Sequence, residues 1–195
     1  KKEFQEIKTG VIGVGSMGQN HARIYSKISN LVAVADPNEA QGRKVAERIG
    51  ATWYSDYHEL LEVVDAVTIA VPTALHRKVA EASAEAGVHM LVEKPLAGNV
   101  TDSKSIISLS RENNIVLAVG HIERYNPVLK TLKSILGNEE ILEISARRLS
   151  PYPTRITDVG VLFDLTIHDV DIINYLLGSR INSVSTSGGK FKNKK

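Results

Sequence analysis

Between residues 9 and 119 the chain repeats one alternation, a short apolar run followed by an amphipathic stretch. The apolar runs fall at 9–14, 31–35, 66–71, 88–92 and 115–119, with a weaker one at 52–55. They are rich in Val and Ile and apolar at consecutive positions, the pattern of strands buried on both faces of a parallel sheet. The intervening segments, near 17–28, 38–48, 56–63, 74–86 and 100–113, read as helices. Asp36-Pro37-Asn38 is a helix-start signal, and Gly50 and Gly87 mark helix ends. Six strands joined by helical crossovers predict a doubly wound α/β sheet of the Rossmann type.

The rhythm changes after Gly120. Asn126-Pro127 opens a further helix that stops near Gly137. Residues 140–149 alternate as a strand, with Ile141, Glu143, Ser145 and Arg147 on one side and Leu142, Ile144, Ala146 and Arg148 on the other. Pro151 and Pro153 mark a loop, a helix follows over 161–177 up to Gly178, and 181–187 reads as a last strand. The expected division is a dinucleotide-binding domain over 1–121 and the start of an α+β domain, with a mostly antiparallel sheet, over 122–195. One helix-supported strand pair is thin for a second domain, so the expectation is a chain cut short within it.

Gly13-Val14-Gly15-Ser16-Met17-Gly18 follows the first strand and opens the first helix. A lone G-x-G-x-x-G is a weak signal, but strand, turn, helix and a later acid make up its required context. Gly13 suits the tight turn, Gly15 lets a pyrophosphate approach the backbone, and Gly18 lets helix and strand pack closely. Ser16 and Met17 stand in the first helical turn, whose free N–H groups bind phosphate. Asp36 lies 23 residues after Gly13, where a carboxylate bonds a ribose 2′-hydroxyl and repels a 2′-phosphate. No Arg follows directly, Arg43 standing well inside the next helix. The expected cofactor is NAD rather than NADP. A glycine turn serving another ligand, a nucleotide-sugar or S-adenosylmethionine, is the alternative.

Polar residues collect where strands end, the edge at which doubly wound sheets bind ligands. Val71-Pro72-Thr73 with His76 follows the fourth strand, Glu93-Lys94-Pro95 the fifth, and Gly120-His121-Ile122-Glu123-Arg124-Tyr125 the sixth. A fourth set is Asp164, His168, Asp169 and Asp171. Asp164 and His168, at i and i+4, share a helix face.

At these residues the chain resembles the Gfo/Idh/MocA family of nicotinamide-dependent sugar and polyol dehydrogenases. The resemblance runs from about residue 8 to 190. It rests on the glycine turn, Asp36, Pro72 with His76, Glu93-Lys94-Pro95, and Asp164-x-x-x-His168-Asp169-x-Asp171. The run from Gly120 to Pro127 looks like the branch that oxidises UDP-N-acetylglucosamine-type sugars at C3. The resemblance implies a two-domain subunit that oligomerises through its second sheet. It implies Lys94 as the active-site lysine, a cis peptide before Pro95, His168 as the acid/base and Asp164 as its neighbour. Thr73, His76, Glu93 and Lys94 join the glycine turn and Asp36 as cofactor contacts, and Arg124, Tyr125 and His168 are the substrate contacts.

The chemistry is consistent with those roles. Oxidising a secondary alcohol removes a hydride, which the cofactor takes, and a proton, which a histidine can take near neutral pH. A nearby cation stabilises the developing alkoxide, and a carboxylate one helical turn away can orient the imidazole. Blander readings stand beside these. Lys94 could be a surface lysine before a turn. His168 could be a helix histidine held by Asp164 or Asp171. His76 could simply hold backbone, and His121 could touch the cofactor's edge or serve structure. Arg124 could bind a substrate anion or pair with a neighbouring acid, and Tyr125 could be packing. A metal site from Asp164, His168 and Asp171 is disfavoured, since hydride transfer needs no metal. The alternative functions are an inositol or other polyol dehydrogenase, a non-catalytic NAD-binding module, or an inactive fragment.

Charge adds exclusions. The 195 residues hold 24 Lys+Arg against 22 Asp+Glu. Six of the lysines are terminal: Lys1, Lys2, Lys190, Lys192, Lys194 and Lys195. Without them 18 basic groups face 22 acidic ones, a net of −4. The sequence pI of 8.7 therefore signals no nucleic-acid partner. The absence of cysteine excludes disulfides, thiolate zinc sites and a cysteine nucleophile. No apolar run approaches the ~20 residues that cross a bilayer, and residues 1–8 lack the apolar core of a signal peptide. The expectation is a cytoplasmic protein with a sugar or nucleotide-sugar substrate, a homo-oligomer when full length.

Overall fold

A computed structural model describes residues 6–137, 139–149, 160–179 and 181–189. The six strands expected from the alternation are β1 (Lys8–Ile12), β2 (Asn30–Ala35), β3 (Thr52–Tyr54), β4 (Ala66–Ile69), β5 (His89–Val92) and β6 (Leu117–Val119). They form one parallel sheet in the order β3-β2-β1-β4-β5-β6. This is the doubly wound Rossmann order, and its reversal lies between β1 and β4. β1 and β4 stop two residues before their apolar runs do, because Gly13 and Val14, and Ala70 and Val71, turn over the sheet edge.

Five helices cross between strands: α1 (Ser16–Ile28), α2 (Glu39–Ile49), α3 (Tyr57–Leu61), α4 (Thr73–Glu85) and α5 (Val100–Glu112). Their starts are chemical. The side chains of Asn38, Asp56 and Asn99 accept hydrogen bonds from the backbone N–H groups of Gln41, His58 and Asp102. Strand alternation divides the core in two. Val11 and Val34 pack with Ala22 of α1 and Val45 and Ala46 of α2. Ile12, Ala33 and Ala35 pack on the other face with Leu60, Leu61, Val79, Ala80 and Ile106, from α3, α4 and α5. Both faces are thus covered, as a parallel sheet requires.

Beyond β6 a short 3-10 turn (Ile122–Tyr125) leads to α6 (Pro127–Leu136), where Asn126 caps the first turn by accepting from the Val128 N–H. The expected helix over 161–177 begins as a π-wound turn, Leu162–Thr166, and continues as α7 (Ile167–Leu177) to Gly178.

The two strands expected at 140–149 and 181–187 are not found. Described residues 141–149 and 181–189 carry no regular structure, and Leu142 and Val184 are 89% and 76% exposed. Alternation makes a strand only where a neighbouring strand supplies hydrogen bonds and an apolar face. Among the described residues, no strand pairs with either segment. The loop at Pro151 and Pro153 and the terminal lysines lie outside the described residues. Among described residues, no helix is long and apolar enough to cross a membrane.

Candidate active site

The glycine-rich turn leaves β1 at Gly13, whose φ of +84° is left-handed and whose N–H donates to the Ala35 carbonyl at 2.8 Å. A Cβ there would stand 2.9 Å from the backbone of Ala70 and Val71, and one at Gly18 would stand 1.8 Å from the Gly13 oxygen. Both glycines are sites of close backbone approach. Gly15 differs, because a Cβ there would meet no protein atom within 4 Å. That open space faces the start of α1, whose first turn holds no acidic residue and has no side-chain cap. Ser16 and Met17 therefore stand in a turn whose backbone donors are available to an anion such as a pyrophosphate.

Asp36 follows β2 and braces the same turn. Its carboxylate accepts from Val14 N–H at 2.8 Å and Asn38 N–H at 2.9 Å, while Gln41 donates to the Val14 carbonyl at 3.0 Å. Arg43 stacks on Trp53 at 4.5 Å and pairs with Glu39 at 2.7 Å. This engagement fits a site that favours a free ribose hydroxyl over a phosphate. A cleft of ≈ 380 Å³, lined by Gly13, Asp36, Pro37, Tyr57, Val71 and Leu75, opens at the switch point. The turn and the cleft together fit a dinucleotide.

Thr73 is the first residue of α4, beside this cleft. His76, three residues on, is 1% exposed. Its Nδ1 lies 2.8 Å from the Pro95 carbonyl and its Nε2 3.0 Å from the Val71 carbonyl. Both ring nitrogens are engaged by the backbone. His76 thus clamps the β4–α4 and β5–α5 loops together, the backbone-holding role that the sequence also offered for it.

The peptide between Lys94 and Pro95 is cis, as the family resemblance implied. Glu93 is 7% exposed. Its carboxylate receives His21 Nε2 at 2.7 Å and the Lys94 N–H at 3.2 Å. Burial pushes the Glu93 carboxyl upward, but His21 and the Lys94 N–H and charge outweigh it, and the group lies below the usual range.

Lys94 reaches across to the π-wound turn. Its Nζ donates to the Asp164 carboxylate and to the Asp164 carbonyl, each at 2.9 Å. Asp164 was expected to orient His168, but no hydrogen bond joins them. The wider winding over Leu162–Thr166 departs from the i, i+4 facing of an α-helix, and Asp164 bonds the lysine instead.

His168 stands in the field of Lys94. Burial is the main cause holding it below the ordinary histidine value. The charges of Lys94, Arg148 and His121 add to this, and Glu123 partly opposes it. Its Nδ1 is buried with no hydrogen-bond partner among the described residues, and the same is true of His121 Nδ1. The His121 nitrogen lies 3.8 Å from the Asp171 carboxylate, close enough for attraction but too far for a hydrogen bond. Burial and Arg124 lower the His121 pKa, and Asp171 and Glu93 offset part of that.

Arg124 resolves toward the ion-pair alternative. Its Nε bonds both Asp171 oxygens, at 3.0 and 2.8 Å, with a third bond from Nη2. It still borders a hollow of ≈ 640 Å³ with Tyr125, Pro127, Lys130 and Tyr175. Tyr125 is 86% exposed, so it is not core packing. Asp169 is bound by Arg148 through a forked pair at 2.9–3.0 Å, which ties the irregular 141–149 segment to α7. No cluster of three metal-ligating side chains occurs among the described residues.

Sequence reading missed His21, Gln41 and Arg148. His21 and its partner Glu93 are 72 residues apart, and no spacing rule joins them. Gln41 could have been found as a polar side chain in the first turn of α2, next to Asp36. Arg148 sat in an expected strand, so its pairing with α7 left no mark in the pattern.

Comparison with known proteins agrees with this fold. The chain is 39% identical over 183 residues to UDP-N-acetylglucosamine 3-dehydrogenase of Acidithiobacillus ferrooxidans, covering 93% of this chain and 58% of that protein. A solved structure of that enzyme superimposes with a TM-score of 0.83 over 88% of this chain and 57% of its own, at 39% identity. Myo-inositol 2-dehydrogenase of Thermotoga maritima is 32% identical over 194 residues, covering 93% of this chain and 58% of that one. Scyllo-inositol dehydrogenase of Lactobacillus casei, solved with NAD(H) and scyllo-inositol, shares the fold at 21% identity, with a TM-score of 0.75 over 88% of this chain and 56% of its own. The chain thus spans under three fifths of these relatives. Residues 7–121 match the profile described as an oxidoreductase family with an NAD-binding Rossmann fold, and on that match the chain belongs to the Gfo/Idh/MocA oxidoreductases.

Proposed function

We propose that the chain belongs to an NAD-dependent dehydrogenase that oxidises a secondary hydroxyl of a sugar, and that the substrate is a UDP-N-acetylhexosamine oxidised at C3. The observation that carries this reading is the meeting of Lys94, from the end of β5, with Asp164 and His168, from the π-wound turn and α7. An ammonium and an imidazole from distant parts of the sequence share one corner of the sheet edge.

Nicotinamide, when bound, supplies the hydride acceptor. The glycine-rich turn, Ser16, Met17 and Asp36 hold the dinucleotide across the switch point. His168 takes the hydroxyl proton, because burial and the neighbouring Lys94 and Arg148 charges hold it below the ordinary histidine value and so favour the neutral, proton-accepting form. Lys94 donates to the oxygen as negative charge develops. Asp164 orients the ammonium rather than the imidazole. The substrate's anionic part lies in the hollow beside Arg124 and Tyr125. With Arg124 held by Asp171, Lys130 is the cation of that hollow with no ion pair among the described residues.

The same reading divides the chain near residue 121 into a coenzyme part and a substrate part, and places a homo-oligomer in the cytoplasm. The division draws its support from the 39% identity to a UDP-N-acetylglucosamine 3-dehydrogenase, which runs across both parts. The test is NADH formation by the protein expressed from its complete reading frame, with UDP-N-acetylglucosamine, UDP-N-acetylgalactosamine, glucose and myo-inositol. Turnover of the UDP-sugars is expected. Turnover of inositol alone overturns the substrate, and no turnover with any of them overturns the dehydrogenase.

A further inference from the structure

Glu93 is a buried carboxylate that touches three elements. It follows β5, it accepts from His21 on α1, and it lies against the end of β6, where a Cβ on Gly120 would come within 3.0 Å of Oε2. Its second oxygen accepts the backbone N–H of Lys94. His21 is itself 17% exposed and stands on the second turn of α1, the helix whose first turn faces the dinucleotide.

The two ends of this contact do different work. The Lys94 side chain is fixed at its tip by Asp164, but its backbone is fixed by the Glu93 carboxylate and by the turn into Pro95. His21 ties the other oxygen of this carboxylate at 2.7 Å. A chain of two hydrogen bonds, 2.7 and 3.2 Å long, therefore runs from the coenzyme helix to the Lys94 backbone.

We infer that His21 and Glu93 form a positioning pair that holds Lys94 in register with the coenzyme helix. The inference rests on the dehydrogenase reading for its catalytic consequence, but not for its structural one. Neither residue has to touch the reacting hydroxyl. His21 acts on Glu93, Glu93 acts on the Lys94 backbone, and Lys94 acts on the substrate.

The test uses two readouts on the protein from its complete reading frame. The first is acetylation of Lys94 by N-hydroxysuccinimidyl acetate, followed by peptide mass spectrometry. In the native protein Lys94 is largely covered and bonded to Asp164, so it labels slowly compared with exposed lysines. His21→Ala is expected to speed Lys94 labelling several-fold and leave Lys44 and Lys104 unchanged. Added imidazole, which can occupy the vacated site, slows it again. His21→Gln, which keeps an N–H able to reach Glu93, stays near the native rate. His21→Phe keeps the ring volume without a nitrogen and is expected to behave as His21→Ala does, which covers the case in which the alanine variant does not fold. The second readout is steady-state kinetics. Misplacing a catalytic group by about an ångström costs roughly a hundredfold, so kcat is expected to fall ten- to a hundredfold in His21→Ala, with NAD affinity within about threefold of native.

Native labelling of Lys94 in both His21→Ala and His21→Phe overturns the pair, whether or not any sugar is oxidised. A native protein that forms no NADH overturns the dehydrogenase instead, and the labelling result still decides the pair.

Discussion

Gly18 and Gly15 belong to the same motif, yet their surroundings predict opposite outcomes on substitution by alanine. A Cβ at Gly18 would lie 1.8 Å from the Gly13 oxygen. Real Cβ contacts do not fall below 3.0 Å, so α1 and the turn would have to part by about 1.2 Å. The obstacle is backbone, which cannot rotate away as a side chain can. Overpacking of this kind costs about 1–3 kcal/mol, and a backbone clash belongs at the upper end. At about 2–4 °C per kcal/mol for a chain of this size, 3 kcal/mol lowers Tm by roughly 6–12 °C. Gly15 has a φ of −66° and a Cβ there meets nothing within 4 Å. Gly15→Ala should leave Tm within about 1 °C. The added methyl would instead occupy the space assigned to the pyrophosphate. NAD affinity should then fall roughly tenfold or more, a loss of about 1.4 kcal/mol. Differential scanning fluorimetry with calorimetric NAD titration reads both. A Gly18→Ala protein as stable as native would refute the packing argument. A Gly15→Ala protein that binds NAD normally would refute the assignment of the open space.

Replacing Lys94 with Ala should lower kcat roughly a hundredfold or more while NAD affinity stays near native, as measured by kinetics and fluorescence titration; lost NAD binding would make Lys94 a coenzyme ligand instead. The same variant removes a positive charge beside His168, so the His168 pKa should rise, as read by NMR titration of the imidazole protons. His168 and His121 both have folded pKa values below the ordinary ~6.5, so the unfolded chain binds their protons more readily. Their contribution to stability is present above pH ~6.5 and is lost as pH falls through the depressed folded values, and His168→Asn should flatten that acid slope in urea unfolding. Arg124→Met leaves the buried Asp171 carboxylate without its forked partner. The cost should be about 2 kcal/mol, below that of a fully buried pair because the guanidinium is nearly half exposed, and the His121 pKa should rise.

Most of the parallel sheet was legible because both of its faces are buried, which writes runs of Val and Ile into the sequence. The glycine turn and Asp36 were legible for a related reason, since backbone approach leaves only glycine possible at Gly13 and Gly18. Lys94 and His168 were found through the family motif, and the structure puts them in one electrostatic neighbourhood. What the sequence hid was partnership. The i, i+4 spacing of Asp164 and His168 implied a shared face, but π winding gave the carboxylate to Lys94. Arg124 offered two partners of equal plausibility, and only the fold brought Asp171 to it. The segments 140–149 and 181–187 failed for the opposite reason, because alternation records a face but not the strand that must lie beside it.

The double anchorage of Lys94 limits how a carbinol can meet it. An ammonium carries three N–H bonds in tetrahedral array, and two of them already end on Asp164. One vector remains. On the proposed dehydrogenase reading, an incoming oxygen would arrive along that line, and its direction of approach would be set before the substrate binds. Selectivity between epimers would then begin at the lysine itself, ahead of any pocket wall.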